Sequence, residues 1–162
     1  MTNYFQKALD NIEKTEYKQS DNFAFTANIN KIDEDERLVF GIFSVSKIGD
    51  ELVIDREQDR IDPVELEKGA YNHVLHARIA GENHIRKGVG SLVESMVFTP
   101  EKISSLKKAL EENGIPSTID IPAVFWWGGY HISDDDTWNS IKKGDFVSFS
   151  IGGSGTRTKA KE

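Results

Sequence analysis

Leu38-Val39-Phe40-Gly41-Ile42-Phe43-Ser44-Val45, followed by Ile48-Gly49-Asp50 and then Leu52-Val53-Ile54, reads as a strand that turns and folds back as a second strand. Just upstream, Asn22 to Ile29 places Phe23, Phe25, Ala27 and Ile29 at every second position, the period of a half-buried strand. The acidic run Asp33-Glu34-Asp35-Glu36 between them has nothing to bury and reads as a solvated turn. Hairpins in tandem need no crossover helix, so this stretch argues against a regular βαβ array and for a mixed, β-rich α+β domain.

Downstream the pattern alternates irregularly between helix and strand. Asp62-Pro63-Val64-Glu65 opens a helix: Asp62 can cap, Pro63 suits the first helical position and Glu65 has capping-box spacing. Leu66, Ala70, Tyr71, Val74 and Ala77 form its expected buried stripe. Gly90 to Phe98 reads as a strand. Thr99-Pro100 starts a second helix with Ile103, Leu106, Ala109 and Leu110 inward, stopped by Asn113-Gly114. Ala123 to Tyr130 is an aromatic-rich strand. Ser133 is the expected cap of a third helix through Trp138 and Ile141, ended by Lys142-Lys143-Gly144, and Phe146 to Ile151 is the closing strand.

At the start, Tyr4, Phe5, Ala8, Leu9 and Ile12 stand at helical spacing, so residues 1–20 read as an arm or short amphipathic helix. The small and basic residues from Gly152 onward lack apolar anchors, and 154–162 reads as a flexible tail after a domain spanning 21–153.

Composition narrows the function. A chain of 162 residues can bury about two-thirds of its surface and needs no disulfide or metal to hold a core. A net charge of −7 disfavours non-specific nucleic-acid binding, which needs a basic footprint. No apolar run approaches the roughly 20 residues that span a bilayer, and the polar start is unlike a signal peptide. There is no cysteine, which excludes a thiol nucleophile, thiolate metal sites and disulfides. Neither nucleic acid nor membrane is an expected partner, and an intracellular setting fits.

Candidate chemistry gathers at three places. In Asp145-Phe146-Val147-Ser148-Phe149-Ser150-Ile151-Gly152-Gly153, strand parity puts Val147, Phe149 and Ile151 on one face and Ser148 and Ser150 on the other. Ser150 then stands near a strand end before two glycines, which allow close backbone approach to a substrate and leave N–H groups for an oxyanion. The plainer alternative is a strand ending in a flexible turn. A serine hydroxyl needs a base, and the candidates are His73, His76, His84 and His131. By helical angle His73 stands at the edge of the buried stripe and His76 points away from it; without a carboxylate to complete a zinc pattern, both read better as surface residues than as metal ligands. His84 lies in the polar stretch Gly81-Glu82-Asn83-His84-Ile85-Arg86-Lys87-Gly88, where a loop can present a functional side chain. In Leu92-Val93-Glu94-Ser95-Met96-Val97-Phe98, parity groups Glu94 with Leu92, Met96 and Phe98, and a carboxylate there asks for a partner. An imidazole is one such partner; a lysine, an arginine or solvent is the other. Phe125-Trp126-Trp127-Gly128-Gly129-Tyr130 is either core packing or a stacking platform for sugars or bases. Arg86 and Arg157 could stabilise developing negative charge, though their spacing does not select them.

Together these segments resemble the phage serine proteases of the XkdF type, related to prohead (capsid maturation) proteases. The resemblance rests on Arg37 to Phe43, Asp55-Arg56-Glu57-Gln58-Asp59-Arg60-Ile61-Asp62-Pro63-Val64-Glu65-Leu66-Glu67, His84, Leu92-Val93-Glu94-Ser95, Asp134 to Gly144 and Phe149-Ser150-Ile151-Gly152-Gly153, roughly residues 37 to 153. It implies a herpesvirus-assemblin-like fold, a β-rich barrel of mostly antiparallel strands with surrounding helices. The implied activity is endopeptidase cleavage of scaffold and capsid proteins in an assembling procapsid in the host cytoplasm, without cofactor or metal. By position Ser150 matches the nucleophile, His84 the general base and Glu94 an acidic position that would orient it. His131 is a rival third member and Ser148 a substitute nucleophile. A homo-oligomer fits. Two other classes stay open: a non-catalytic virion or scaffold-associated module, and a carbohydrate- or peptide-binding β domain built on Phe125 to Tyr130.

Overall fold

In a computed structural model of the chain, which describes residues 27–55, 59–82, 85–149 and 151, one antiparallel sheet curls into a half-barrel against three helices. The described elements run β1 (Ala27–Asp33), β2 (Leu38–Ile48), β3 (Glu51–Leu52), α1 (Pro63–His76), β4 (Ile79–Glu82), β5 (Arg86–Phe98), α2 (Pro100–Glu112), β6 (Ala123–Ile132), α3 (Asp135–Lys143) and β7 (Ser148–Phe149). The order across the sheet is β4-β5-β6-β2-β1-β7, with β3 paired to β2. The sheet is therefore built from the tandem hairpins that the alternation implies.

The long central strands are apolar on both faces because each face is covered. Val124, Trp126, Tyr130 and Ile132 of β6 join Val39 and Phe43 of β2, Leu66 and Ala70 of α1, and Trp138 and Ile141 of α3 in one buried cluster. Ala123 and Phe125 of β6 join Ile42, Phe98, Ile121 and Ile103 of α2 in a second cluster on the opposite face. Glycines make room where these clusters are most crowded. A Cβ on Gly128 would stand 2.5 Å from the Phe43 ring, and one on Gly129 would collide with the Phe40 ring. Phe43 then stacks on Tyr130 at 5.2 Å and meets Trp126 edge-on at 5.1 Å.

The helix starts follow capping chemistry. The Asp62 carboxylate accepts from Val64 N–H at 2.9 Å, and the Thr99 hydroxyl accepts from Lys102 N–H at 3.3 Å. The third cap differs from expectation: Asp134, not Ser133, is the N-cap of α3, accepting from Thr137 N–H at 2.8 Å. Gly144 ends α3 in the left-handed conformation at φ 80°. Lys102 ties α2 to its neighbours by donating to Glu67, to Tyr71 Oη at 2.8 Å and to Val97 O at 2.9 Å. Lys102, and then Tyr71, hold the Glu67 carboxyl below its usual pKa.

Several boundaries move. Ile79–Glu82 is a strand that its half-polar sequence conceals, and the expected strand Leu52–Ile54 shrinks to the pair Glu51–Leu52. Among the described residues the closing strand is Ser148–Phe149, paired antiparallel with Asn28 and Ala27 of β1. Phe149 turns inward there, whereas Val147 and Ile151 are exposed rather than sharing a buried face with it. On α1 only Leu66 and Ala70 are buried, and Tyr71 reaches out to Lys102. The expected arm 1–20 and tail 154–162 lie outside the described residues.

Candidate active site

Ser150 and His84 both lie outside the described residues, so their own geometry is not on view; the elements that carry them are. On the side of position 150, β7 is anchored by Phe149, whose ring stands 4.7 Å from Phe43 and 6.4 Å from Tyr130. Ile29 N–H donates to Val147 O at 2.8 Å, and Ser148 is exposed opposite Asn28.

On the side of position 84, the β4–β5 turn is closed by Ile85 N–H donating to Glu82 O at 3.0 Å. Arg86 spans the foot of this turn, donating to Glu82 Oε2 at 2.8 Å and to Asp134 Oδ2 at 2.7 Å. The Thr137 hydroxyl lies 2.9 Å from Glu82 Oε2 and 2.8 Å from Asp134 Oδ1. Asp134 has its carboxyl pKa lowered, first by the Thr137 N–H and hydroxyl and then by Arg86. Arg86 is thus committed to two carboxylates. This four-residue knot was not selected by spacing; the hint in the sequence was Asp134 to Asp136 at a helix start, where carboxylates favour the dipole.

β4 and β7 sit at opposite ends of the strand order, yet Ala80 of β4 and Phe149 of β7 pack against the same buried cluster beneath α1 and α3. Ala80, four residues before position 84, and Phe149, one before position 150, therefore share one core.

Glu94 is placed differently from its expected setting. A bulge falls between Leu92 and Glu94, which pair with Tyr130 and Gly129 respectively. The extra residue resets parity. Leu92 packs on the first cluster while Phe98 belongs to the second, so Glu94 keeps Met96 and Phe98 as face neighbours and loses Leu92. The carboxylate is exposed, which removes the burial cost that called for a partner. It stands eight residues along β5 from Arg86, roughly 20 Å at strand rise after allowing for bulges. A carboxylate there can orient an imidazole in the β4–β5 turn only if that turn folds back along the strand.

Instead Glu94 lines an open trough of about 500 Å³ whose other residues are Asn30 and Lys31 of β1, Ser95, Met96 and Phe98 of β5, and Trp127 of β6. Lys31 lies over the Phe40 ring at 5.1 Å. The trough thus has an apolar floor, with a cation on the β1 side and an anion on the β5 side.

The remaining histidines separate by setting. His131 is half-buried on β6, opposite Leu38 and Ser91. His76 is exposed as expected, and His73 is half-buried at the edge of the α1 stripe. Its Nε2 lies 2.8 Å from Tyr130 Oη, and its ring meets Trp126 edge-on at 5.7 Å. Burial pushes Tyr130 up to about 12 and His73 below its usual value. The phenol keeps its proton, and the tautomer of His73 sets which of the two groups donates. Among the described residues no group of three or more His, Asp or Glu side chains could hold a metal, and no helix is long and apolar enough to cross a membrane.

The aromatic run on β6 is divided between the two cores: Trp126 and Tyr130 face one, Phe125 and Trp127 the other. Trp127 is the one of these four that is only partly buried, so a stacking platform there would be a single indole.

Residues 26–159 match the family model described as "Putative phage serine protease XkdF". No curated protein and no solved structure matches the chain.

Proposed function

Because the chain belongs to the XkdF phage serine protease family, we propose that it is a serine endopeptidase in which Ser150 is the nucleophile and His84 the general base. Ser150 Oγ attacks the peptide carbonyl carbon while His84 accepts the hydroxyl proton and passes it to the leaving amine. Backbone N–H groups about Ile151 to Gly153 hold the oxyanion. Water, deprotonated by the same imidazole, then cleaves the acyl-enzyme. The scheme uses no metal or organic cofactor.

The observation that carries this reading is the family match, which runs through both positions 84 and 150. Two features of the described residues support it. Ala80 and Phe149, which precede positions 84 and 150 in the chain, pack on one core. Glu82 and Asp134, two carboxylates against one guanidinium, sit at the foot of the turn bearing position 84, and net negative potential favours the imidazolium formed during attack. Glu94 is assigned no step, because its strand position suits the trough wall better than the imidazole.

The proposed substrates are phage scaffold and capsid proteins, cut inside an assembling procapsid in the host cytoplasm. Co-expression with those proteins should yield fragments that vanish in Ser150→Ala and in His84→Ala, with the folded state retained in both. Intact substrate beside the wild type would favour a non-catalytic virion module instead.

A further inference from the structure

β5 is longer than its outer neighbour. β4 pairs with it only from Arg86 to Ser91, and Leu92 N–H donates to Arg78 O at 2.9 Å, where Arg78, at φ 59°, turns the chain between α1 and β4. Beyond Leu92 no described strand lies on the outer side of β5. The register shows which groups face that way. Ile132 N–H donates to Arg37 O on the β2 side, so alternation along β6 turns His131, Gly129 and Trp127 toward β5. Glu94 and Met96, opposite Gly129 and Trp127, therefore bond inward, and Ser95 and Val97 direct their main-chain groups outward. Val97 O is met there by Lys102 Nζ at 2.9 Å. The outer row is thus closed at Leu92 and at Val97 O, and Ser95 N–H, Ser95 C=O and Val97 N–H lie open between them.

Beside this row Tyr71, Val74 and Leu75 of α1, with Ala70, Ser95 and Val97, line an open groove of about 400 Å³. Leu75 is 64% exposed and Tyr71 49%, so the groove has an apolar wall on the helix side. The Ser95 hydroxyl accepts from Trp126 Nε1–H at 2.9 Å, which leaves the Ser95 main chain as the polar feature on offer. Unpaired strand donors and acceptors beside an apolar wall select one chemistry, an extended main chain with an apolar side chain turned to the wall. A helix is a poor occupant, because its own backbone groups are already bonded internally.

We propose that the β5 edge at Ser95 to Val97 docks an extended peptide segment of a partner protein as an added strand. Three main-chain hydrogen bonds hold it, and one of its apolar side chains packs against Tyr71, Val74 and Leu75. The open row is roughly 15 Å long at strand rise, so the segment is about five residues. The site uses neither position 84 nor position 150, the proposal does not rest on the hydrolase reading, and its readout does not use activity.

The test is amide hydrogen exchange by nuclear magnetic resonance on the full chain, with the blocked peptide acetyl-Thr-Val-Thr-Val-Thr-amide as probe. In the free chain the Ser95 and Val97 amides should exchange at least about 100-fold faster than those of Glu94 and Met96. The peptide at millimolar concentration should slow the two outer amides and shift their resonances. Its two alternate sets of amides face opposite ways, one toward β5 and one toward water. N-methylation of one set should therefore weaken binding at least about ten-fold, and N-methylation of the other should leave it unchanged. Leu75→Lys, at an exposed position, should weaken binding about five-fold with an unchanged thermal melt. Slow exchange at Ser95 in the free chain overturns the proposal, because the edge is then already paired, by a second copy if protection fades on dilution and by the chain itself if it does not. Equal effects of the two N-methylated sets also overturn it, as does an unmodified peptide that leaves the Ser95 and Val97 amides unchanged.

Discussion

Tyr130→Phe removes one oxygen from a part-buried polar contact between α1 and the sheet. The Tyr130 hydroxyl is hydrogen-bonded to His73 Nε2 at 2.8 Å, and no shape is lost when it goes, because the ring keeps its stacking on Phe43. The cost is therefore the lost bond plus the desolvation of an imidazole nitrogen left without its partner, about 1–2 kcal/mol for a half-buried group. For a domain of this size that is a melting temperature lower by roughly 3–6 °C. A double-mutant cycle with His73→Gln should return a coupling energy of about 0.5–1.5 kcal/mol by urea denaturation. The pair also has a pH signature. Burial lowers the folded pKa of His73, so between that value and the unfolded value near about 6.5 the unfolded chain holds the extra proton. Stability consequently rises with pH through that window: it is highest above the unfolded value and declines as pH falls below it. His73→Gln should flatten this slope, leaving the separate loss at lower pH from Glu67 and Asp134, whose folded values are depressed and whose contribution fades as they protonate. A coupling energy indistinguishable from zero, or an unchanged slope without the imidazole, would refute the reasoning.

Two other substitutions probe the packing. Gly128→Ala forces a methyl group into the Phe43 ring and within 2.8 Å of Glu94 O, so it should destabilise by about 1–3 kcal/mol in thermal melts, opposite in sign to Gly69→Ala, which at an open position inside α1 should stabilise by about 0.5–1 kcal/mol. Ser46→Ala removes the hydroxyl that donates to Ile61 O from a fully buried position, and should cost about 1–3 kcal/mol in urea denaturation while loosening the chain just before α1.

The architecture was legible where local and global preferences agree. Tandem alternation around Leu38 to Val45 implied antiparallel hairpins, and the Asp62-Pro63 and Thr99-Pro100 pairs marked helix starts that the caps bear out. Parity failed at Glu94 because one bulge residue reverses the faces of everything before it, and no period-two count contains that information. The strand Ile79–Glu82 was hidden because an edge strand needs little apolar sequence. Helical angle puts His73 at the edge of the buried stripe, where it stands half-buried; its partner Tyr130, 57 positions away on the sheet, is what local pattern does not contain. Ser150 and His84 were singled out by residue type, by position near element ends and by resemblance. Their meeting is a long-range property of the folded chain that local pattern does not encode.

The most direct test of the protease assignment is covalent. An organophosphorus fluoride phosphorylates a serine only when a neighbouring base activates it. After treatment of the wild-type chain, peptide mass spectrometry should locate a single phosphoryl adduct on Ser150, and the adduct should disappear in His84→Ala. Labelling confined to Ser148, or no labelling of a folded protein, would contradict the account.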